Sequence, residues 1–264
     1  MIELNKIYLG DCLEVMKDIK DKSIDMILCD LPYGTSRCKW DSIIDIKKLF
    51  EQYLRIIKDK NAIVLTATQP FGSLLIQNAI KYFKYDWIWN KVIPFGFQTA
   101  KIKPLKIHEN ILVFSKGSCA SCAKKNLVYY PQNLVKLNKK RIIDNIPHVF
   151  GNRKGYVGFE YNVEFTNFPK TILNFSNADH TNSFHPTQKP VSLFEYLIKT
   201  YTEENEIVLD NCIGSGTTAI ACINTNRQYI GIEKDEEYFN KCNKRISDYK
   251  TLLIQQKRFK GIYK

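Results

Sequence analysis

No apolar run in this chain approaches the roughly 20 residues that a bilayer-crossing helix needs, and its start carries no secretory signal pattern. Membrane-embedded and secreted classes are thereby set aside, and the expectation is a soluble, cytoplasmic protein with no membrane partner. Internal repeats and low-complexity tracts are missing as well, so the 264 residues suit one large domain with an insertion. Neither G-x-G-x-x-G nor a Walker lysine occurs, which disfavours a dinucleotide or phosphate loop. Acids are scarce: 27 Asp and Glu face 39 Lys and Arg, a formal charge of +12. That balance favours a polyanionic partner through phosphate contacts, although a lysine-rich composition gives the same charge without one. The eight cysteines are scattered, several in apolar stretches, the pattern of buried thiols in a reducing compartment. Cys119 and Cys122 have the spacing of half a zinc site, but no second Cys or His pair stands close by, so no metal is expected.

What the chain does contain is concentrated at two places. Ile24 to Cys29 is an apolar run, followed directly by Asp30-Leu31-Pro32-Tyr33-Gly34. A strand ending in an acid, a proline and an aromatic ring brings three tools to one loop. The Asp30 carboxylate and a backbone carbonyl can each accept a hydrogen bond from an amino group, and the Tyr33 ring offers a flat face to a planar heterocycle. Pro32 pushes Leu31 toward an extended conformation, which aims the Leu31 carbonyl. Taken alone, the same residues simply make a turn after a strand.

The second place lies far downstream. Ile207-Val208-Leu209-Asp210 ends in an acid, passes through Gly214 and Gly216, and opens a helical stretch at Thr217. Glycines there let the backbone approach a ligand at a strand's carboxyl end, where open α/β sheets bind ligands. The run from Gln228 to Ile232 ends in Glu233. An acid at the end of the second strand commonly holds the two ribose hydroxyls of a nucleoside cofactor.

Together these features make the chain resemble the amino-methylating DNA methyltransferases that use S-adenosylmethionine. Asp30-Leu31-Pro32-Tyr33 is similar to their catalytic D/N/S-P-P-Y tetrapeptide, Asp210 to Thr218 to their F-x-G-x-G cofactor loop, and Glu233 to their ribose-binding acid. His185-Pro186-Thr187-Gln188-Lys189-Pro190 matches their H-P-T-x-K-P segment. The catalytic motif precedes the cofactor loop, the order of the β group, which is a circular permutation of the common arrangement. Two positions depart from the pattern: Leu31 stands where proline is usual, and Asn211-Cys212-Ile213 where Pro-Phe is common. A residue acting through its main-chain carbonyl tolerates the first change, and the smaller Ile213 implies a thinner wall over the cofactor.

The resemblance implies S-adenosylmethionine as cofactor and double-stranded DNA as partner. It assigns Asp30, Leu31, Pro32 and Tyr33 to catalysis. Asp210, Gly214, Gly216, Thr217 and Glu233 would contact the cofactor, with Asp11 near its adenine ring and His185, Thr187 and Lys189 near its methionine carboxylate. Lys189 is equally readable as a surface lysine beside a helix start. An acid opening the tetrapeptide points to N6 of a flipped adenine. An N4-cytosine enzyme, an RNA-directed enzyme and a catalytically silent DNA-binding relative are the alternatives. A homodimer and a cognate restriction endonuclease are further partners that the resemblance leaves open.

Along the chain, apolar runs and helical stripes alternate. They predict helices over 13–19, 46–58, 71–82, 191–202, 217–225 and 235–249, and strands over 24–29, 62–66, 85–89, 110–114, 206–209 and 228–232. Such alternation means an α/β fold with a doubly wound, mostly parallel sheet, and the resemblance makes it Rossmann-like and permuted. Residues 1–116 would be the catalytic half and 181–264 the cofactor half. Residues 117–180 break the rhythm and read as an irregular target-recognition insertion. From Lys116 to Thr171 ten Lys/Arg face three acids, with eight Tyr and Phe interleaved. Lys124, Lys125, Lys136, Lys139, Lys140, Arg141, Arg153 and Lys154 are the candidate DNA contacts there.

Overall fold

The computed structural model describes residues 2–34, 42–142, 160–177 and 188–262, with side chains as far as residue 256. In chain order the elements are β1 (Lys6–Leu9), α1 (Cys12–Val15), β2 (Ile24–Asp30), α2 (Ile46–Ile56), β3 (Ile57–Ala67), α3 (Phe71–Asn78), β4 (Phe83–Phe95) and β5 (Lys106–Phe114). They continue with β6 (Val135–Ile142), β7 (Glu160–Thr166), β8 (Ile172–Asn174), α4 (Val191–Tyr201), β9 (Ile207–Asp210), α5 (Thr217–Asn224), β10 (Gln228–Glu233) and α6 (Glu236–Ile262). Two compact units result: Met1–Tyr130 with Thr171–Lys264, and Pro131–Lys170.

In the larger unit eight strands run in the order β1-β10-β9-β2-β3-β5-β4-β8. Every neighbouring pair is parallel except those of β5, which is antiparallel to β3 and to β4. The uninterrupted apolar run of β2 follows from its central place, because a parallel strand covered on both faces has no polar side. Met26 and Leu28 pack with residues of α4, α5 and α6, while Ile27 and Cys29 pack with residues of α1, α2 and α3. In α2 one stripe, Ile46, Leu49, Phe50, Tyr53 and Ile56, is buried. That helix stops short of the expected Ile57 and Lys58 because Ile57 pairs with Ile24 of β2.

This order places the functional loops. The chain leaves β2 toward β3 on one side and β9 toward β10 on the other, while β2 and β9 are direct neighbours, Ile27 beside Leu209. Their carboxyl ends therefore flank the point where winding reverses, the usual ligand position in open α/β sheets. The β4–β5 hairpin overhangs this edge: β3 ends its pairing at Ala67 opposite Asn110, whereas β4 and β5 stay paired out to Phe95 and Lys106.

The smaller unit is a two-stranded antiparallel ribbon, β6 with β7, paired from Val135–Thr166 to Ile142–Glu160. Nearly all of its side chains are exposed. The stretch expected to be irregular thus contains a formed ribbon, and β8 joins the main sheet beside β4. Lys124 and Lys125 belong to the larger unit, as exposed residues of a loop. Among the described residues no helix is long and apolar enough to cross a membrane.

Candidate active site

Asp30 closes β2 opposite Thr66 of β3, and that register decides its surroundings. Its Oδ1 accepts hydrogen bonds from the Tyr33 hydroxyl at 2.8 Å and from the Thr66 hydroxyl. Its Oδ2 accepts from Lys189 Nζ at 2.5 Å. Tyr33 is thus tied to Asp30 through its hydroxyl, while its ring lies 5.3 Å from that of Phe71 at a tilt of 35°. Burial, together with the neighbouring Asp30 and Glu109 charges, pushes the Tyr33 phenol well above its ordinary value, so it stays a donor.

Lys189 is not the surface lysine that its place before α4 allowed. Its side chain is 7% exposed and bridges Asp30 and Glu109, the second at 3.7 Å. Burial alone would push the ammonium down, but the two carboxylates outweigh it and hold its pKa above the ordinary value. Glu109 also pairs through Oε1 with Lys91, whose ammonium stands 4.8 Å over the Trp89 ring and 4.6 Å over that of Phe95. The result is a buried chain of alternating charge, Asp30–Lys189–Glu109–Lys91. Such a chain is tolerated only while each member keeps its partner. Among the described residues nothing donates a hydrogen bond to three buried oxygens here, Glu109 Oε2, Asn177 Oδ1 and Gln188 Oε1.

At the neighbouring strand end, Gly214 and Gly216 take φ of +49° and +81°, a backbone region that glycine enters freely. A Cβ on Gly216 would sit 2.7 Å from Cys242 Sγ, so this glycine is also fixed by α6 packing against the turn. Asp210 is buried, with Oδ1 accepting from the Cys212 N–H at 3.1 Å and Oδ2 from the Thr218 hydroxyl. Burial pushes its carboxyl up to about 7. Thr217 donates to the Lys189 carbonyl at 3.3 Å, which ties the start of α5 to the segment preceding α4.

Glu233 ends β10 and accepts backbone N–H bonds from Gly214 at 2.8 Å on Oε2 and from Lys234 and Asp235 at 3.0 Å on Oε1. Burial raises its pKa against the pull of those three donors. Asp11 caps α1 through the Leu13 N–H at 2.9 Å and pairs with Lys234 at 3.3 Å.

The carboxylates of Asp11, Asp30, Glu109, Asp210 and Glu233, with Tyr33, Lys91 and Lys189, line one cavity of about 850 Å³ that joins the Asp30–Tyr33 loop to the Asp210–Thr217 loop. The donor set fits S-adenosylmethionine. Oε2 of Glu233 has one backbone partner and keeps an acceptor position for a ribose hydroxyl, and Asp11 and Tyr238 lie at the same end. Ile213, expected to thin the wall, is buried and lines the cavity; a Cβ on Gly231 would meet it at 2.5 Å.

Asp11, Asp30, Leu31, Pro32, Tyr33, Lys189, Asp210, Gly214, Thr217 and Glu233 thus come together, and Gly216 shapes the turn beneath. Lys189 stands on Asp30 rather than at the cofactor end. His185 and Thr187 lie outside the described residues, as do Arg153 and Lys154. Lys136, Lys139, Lys140 and Arg141 are exposed on β6, in the separate ribbon unit. Thr66, Lys91, Glu109, Asn177 and Gln188 were not foreseen. The one usable signal was Glu109, an acid within the strand leading into the apolar run Ile111 to Phe114. Among the described residues no cluster of three His, Cys, Asp or Glu is placed to hold a metal.

Comparison with known proteins agrees with this geometry. Residues 24–244 match a family model described as DNA methylase. The type II methyltransferase M1.MboII of Moraxella bovis is 27% identical, over 92% of this chain and 96% of its own. Among solved structures, M1.HpyAVI in complex with S-adenosylmethionine superposes with a TM-score of 0.62 at 25% identity, covering 91% of this chain and 98% of that one. The cytosine-N4-specific PvuII DNA methyltransferase shares the fold, with a TM-score of 0.60 at 17% identity over 90% of this chain and 84% of that one. With the carboxylates of two strand ends in one cavity and the family match spanning most of its length, this chain belongs to the S-adenosylmethionine-dependent DNA methylases that modify exocyclic amines, at N6 of adenine or N4 of cytosine.

Proposed function

We propose that the protein methylates N6 of adenine at a specific site in duplex DNA, acting on a base flipped out of the helix. One observation carries this reading: a carboxylate held in place by Tyr33, Thr66 and Lys189 opens onto the same cavity as the cofactor loop. An exocyclic amine is a poor nucleophile because its lone pair is delocalised into the ring. Asp30 and the Leu31 carbonyl would accept its two N–H groups and favour the pyramidal form, with the lone pair aimed at the donor. Bound S-adenosylmethionine supplies a methyl group activated by its sulfonium. Asp30, already accepting one N–H of the amine, would take the proton that the nitrogen carries in excess once it has accepted the methyl group. Positioning and electrostatics account for most of such catalysis.

For Asp30 to receive the amine, the Lys189 ammonium must yield its place on Oδ2. Glu109 Oε2, already ion-paired with it at 3.7 Å and accepting no hydrogen bond from the described residues, is where it would go. A flipped base is required because the amine is out of reach within the stack, and Tyr33 would face it. The β6–β7 ribbon, with Lys136, Lys139, Lys140 and Arg141 exposed, supports a target-recognition role, since the major groove admits a two-stranded ribbon. Relatives such as M1.MboII are type II methyltransferases, and a cognate restriction endonuclease would be the matching partner.

The test is to incubate unmethylated DNA with the protein and S-adenosylmethionine, digest it to nucleosides and weigh them. N6-methyladenine is expected. N4-methylcytosine would move the assignment to cytosine, and no methylated nucleoside at all would refute the reading. Sequencing the same DNA with a method that detects methylated bases then maps the site.

A further inference from the structure

The tip of the β4–β5 hairpin has features that neither the cofactor pocket nor the carboxylate explains. Beyond Ala67 the hairpin runs on for four residues of β5, Lys106 to Glu109, roughly 13 Å past the sheet's carboxyl edge. Its base faces the active site, since Lys91, Phe95 and Glu109 line the cavity. Its tip is apolar and exposed: Phe97 is 66% and Ile102 84% accessible, with Val92, Ile93 and Phe95 also exposed. One such side chain needs no explanation, but five within eleven residues form a patch of the kind that marks a contact surface.

The tip is also a formed structure. Gly96 at φ +94° starts a tight turn over Phe97–Thr99, and the N–H groups of Thr99, Ala100, Ile102 and Lys103 all find carbonyl partners within the loop. Around it the charge is of one sign. Lys101 and Lys103 are exposed, and the sequence from Lys91 to Lys106 contains no acid. Apolar residues flanked by lysines, carried on a preformed projection beside a cavity for a flipped base, match one partner. A duplex offers phosphates to the lysines and a stacked apolar interior to the tip, and apolar side chains inserted between base steps partially unstack and kink a duplex.

We infer that the β4–β5 tip is the wedge that opens the target pair, with Phe97 and Ile102 entering the space the flipped base leaves while Lys101 and Lys103 hold the adjoining phosphates. This rests on the base-flipping reading above. The test compares the wild-type protein with a Phe97→Ala, Ile102→Ala double variant. Methyl transfer is measured as kcat/KM on a short duplex carrying the mapped site, and on the same duplex with the target base mispaired. Both side chains are exposed, so the fold should survive, which thermal melting checks.

On the paired duplex the variant should lose about tenfold or more in kcat/KM. On the mispaired duplex, where opening costs little, it should come within about threefold of wild type. Equal losses on both duplexes, no loss on either, or a loss accompanied by a changed oligomeric state in sedimentation would each overturn the wedge. The last outcome would make the patch a contact between copies of the chain. A wild type inactive on the paired duplex would instead bring down the methyl-transfer reading and this inference with it.

Discussion

Replacing Asp210 by Asn should make the protein relatively more stable as the pH rises. Asp210 is buried beside the cofactor turn, and burial pushes its carboxyl from an ordinary 3.8 up to about 7. Between those values the folded chain holds a proton that the unfolded chain has already released. Folding is therefore increasingly penalised as the pH climbs through that window, and the penalty levels off above about pH 7. A shift of about three pKa units corresponds to about 4 kcal/mol in all, of which about 3 kcal/mol should develop between about pH 5 and about pH 8. Asparagine carries no charge, keeps an oxygen for the Cys212 N–H, and can donate to Thr218 Oγ1, so it removes the titration with little change of contacts. The assay is urea unfolding of the cofactor-free protein at both pH values. The midpoint of the Asn variant relative to wild type should rise by about 1 M between them, taking a slope near 3 kcal/mol/M. A difference that stays constant with pH, or one that moves in favour of wild type, would refute the argument that a buried, largely neutral acid sits at this turn.

Asp30→Ala and Tyr33→Ala should each abolish or strongly reduce methyl transfer while titration calorimetry still shows cofactor binding; near-normal turnover in either would contradict the clamp. Glu233→Ala should weaken S-adenosylmethionine binding by tenfold or more, about 1.4 kcal/mol, and an unchanged affinity would remove Glu233 from the ribose site. Lys189→Met leaves Asp30 without its cation, while Glu109 keeps Lys91, and should cost about 3 kcal/mol of stability; adding Asp30→Asn, which removes the carboxylate left unpaired, should recover part of it, which a double-mutant cycle by chemical denaturation reads directly. Changing Lys139, Lys140 and Arg141 together to Ala should lower DNA affinity and reduce the slope of log affinity against log salt by up to about three, and an unchanged slope would return the ribbon to a plain solvated surface.

The sequence by itself determined what depends on local pattern. The apolar run into Asp30, the glycine pair after Asp210 and the acid at Glu233 marked three strand ends, and each lines the cavity. The buried stripe of α2 was readable from its spacing, because a helix and a sheet select side chains by period. Boundaries were less legible. Lys58, expected at the end of α2, and Asp59 to Asn61, expected between elements, lie within β3 as a bulge in its pairing with β2 between Ile57 and Ala62, which no local propensity reveals. The 71–82 helix ended at Asn78 for a related reason, its next residues being drawn into the turn that feeds β4. Only the tertiary structure could decide which charges meet. Lys189 is 159 residues from Asp30, and Glu109 lies on a strand separated from β2 by β3, yet the strand order brings all three into one buried chain. Periodicity reports which face of an element is covered, and the register between elements, fixed by the whole sheet, decides what stands opposite.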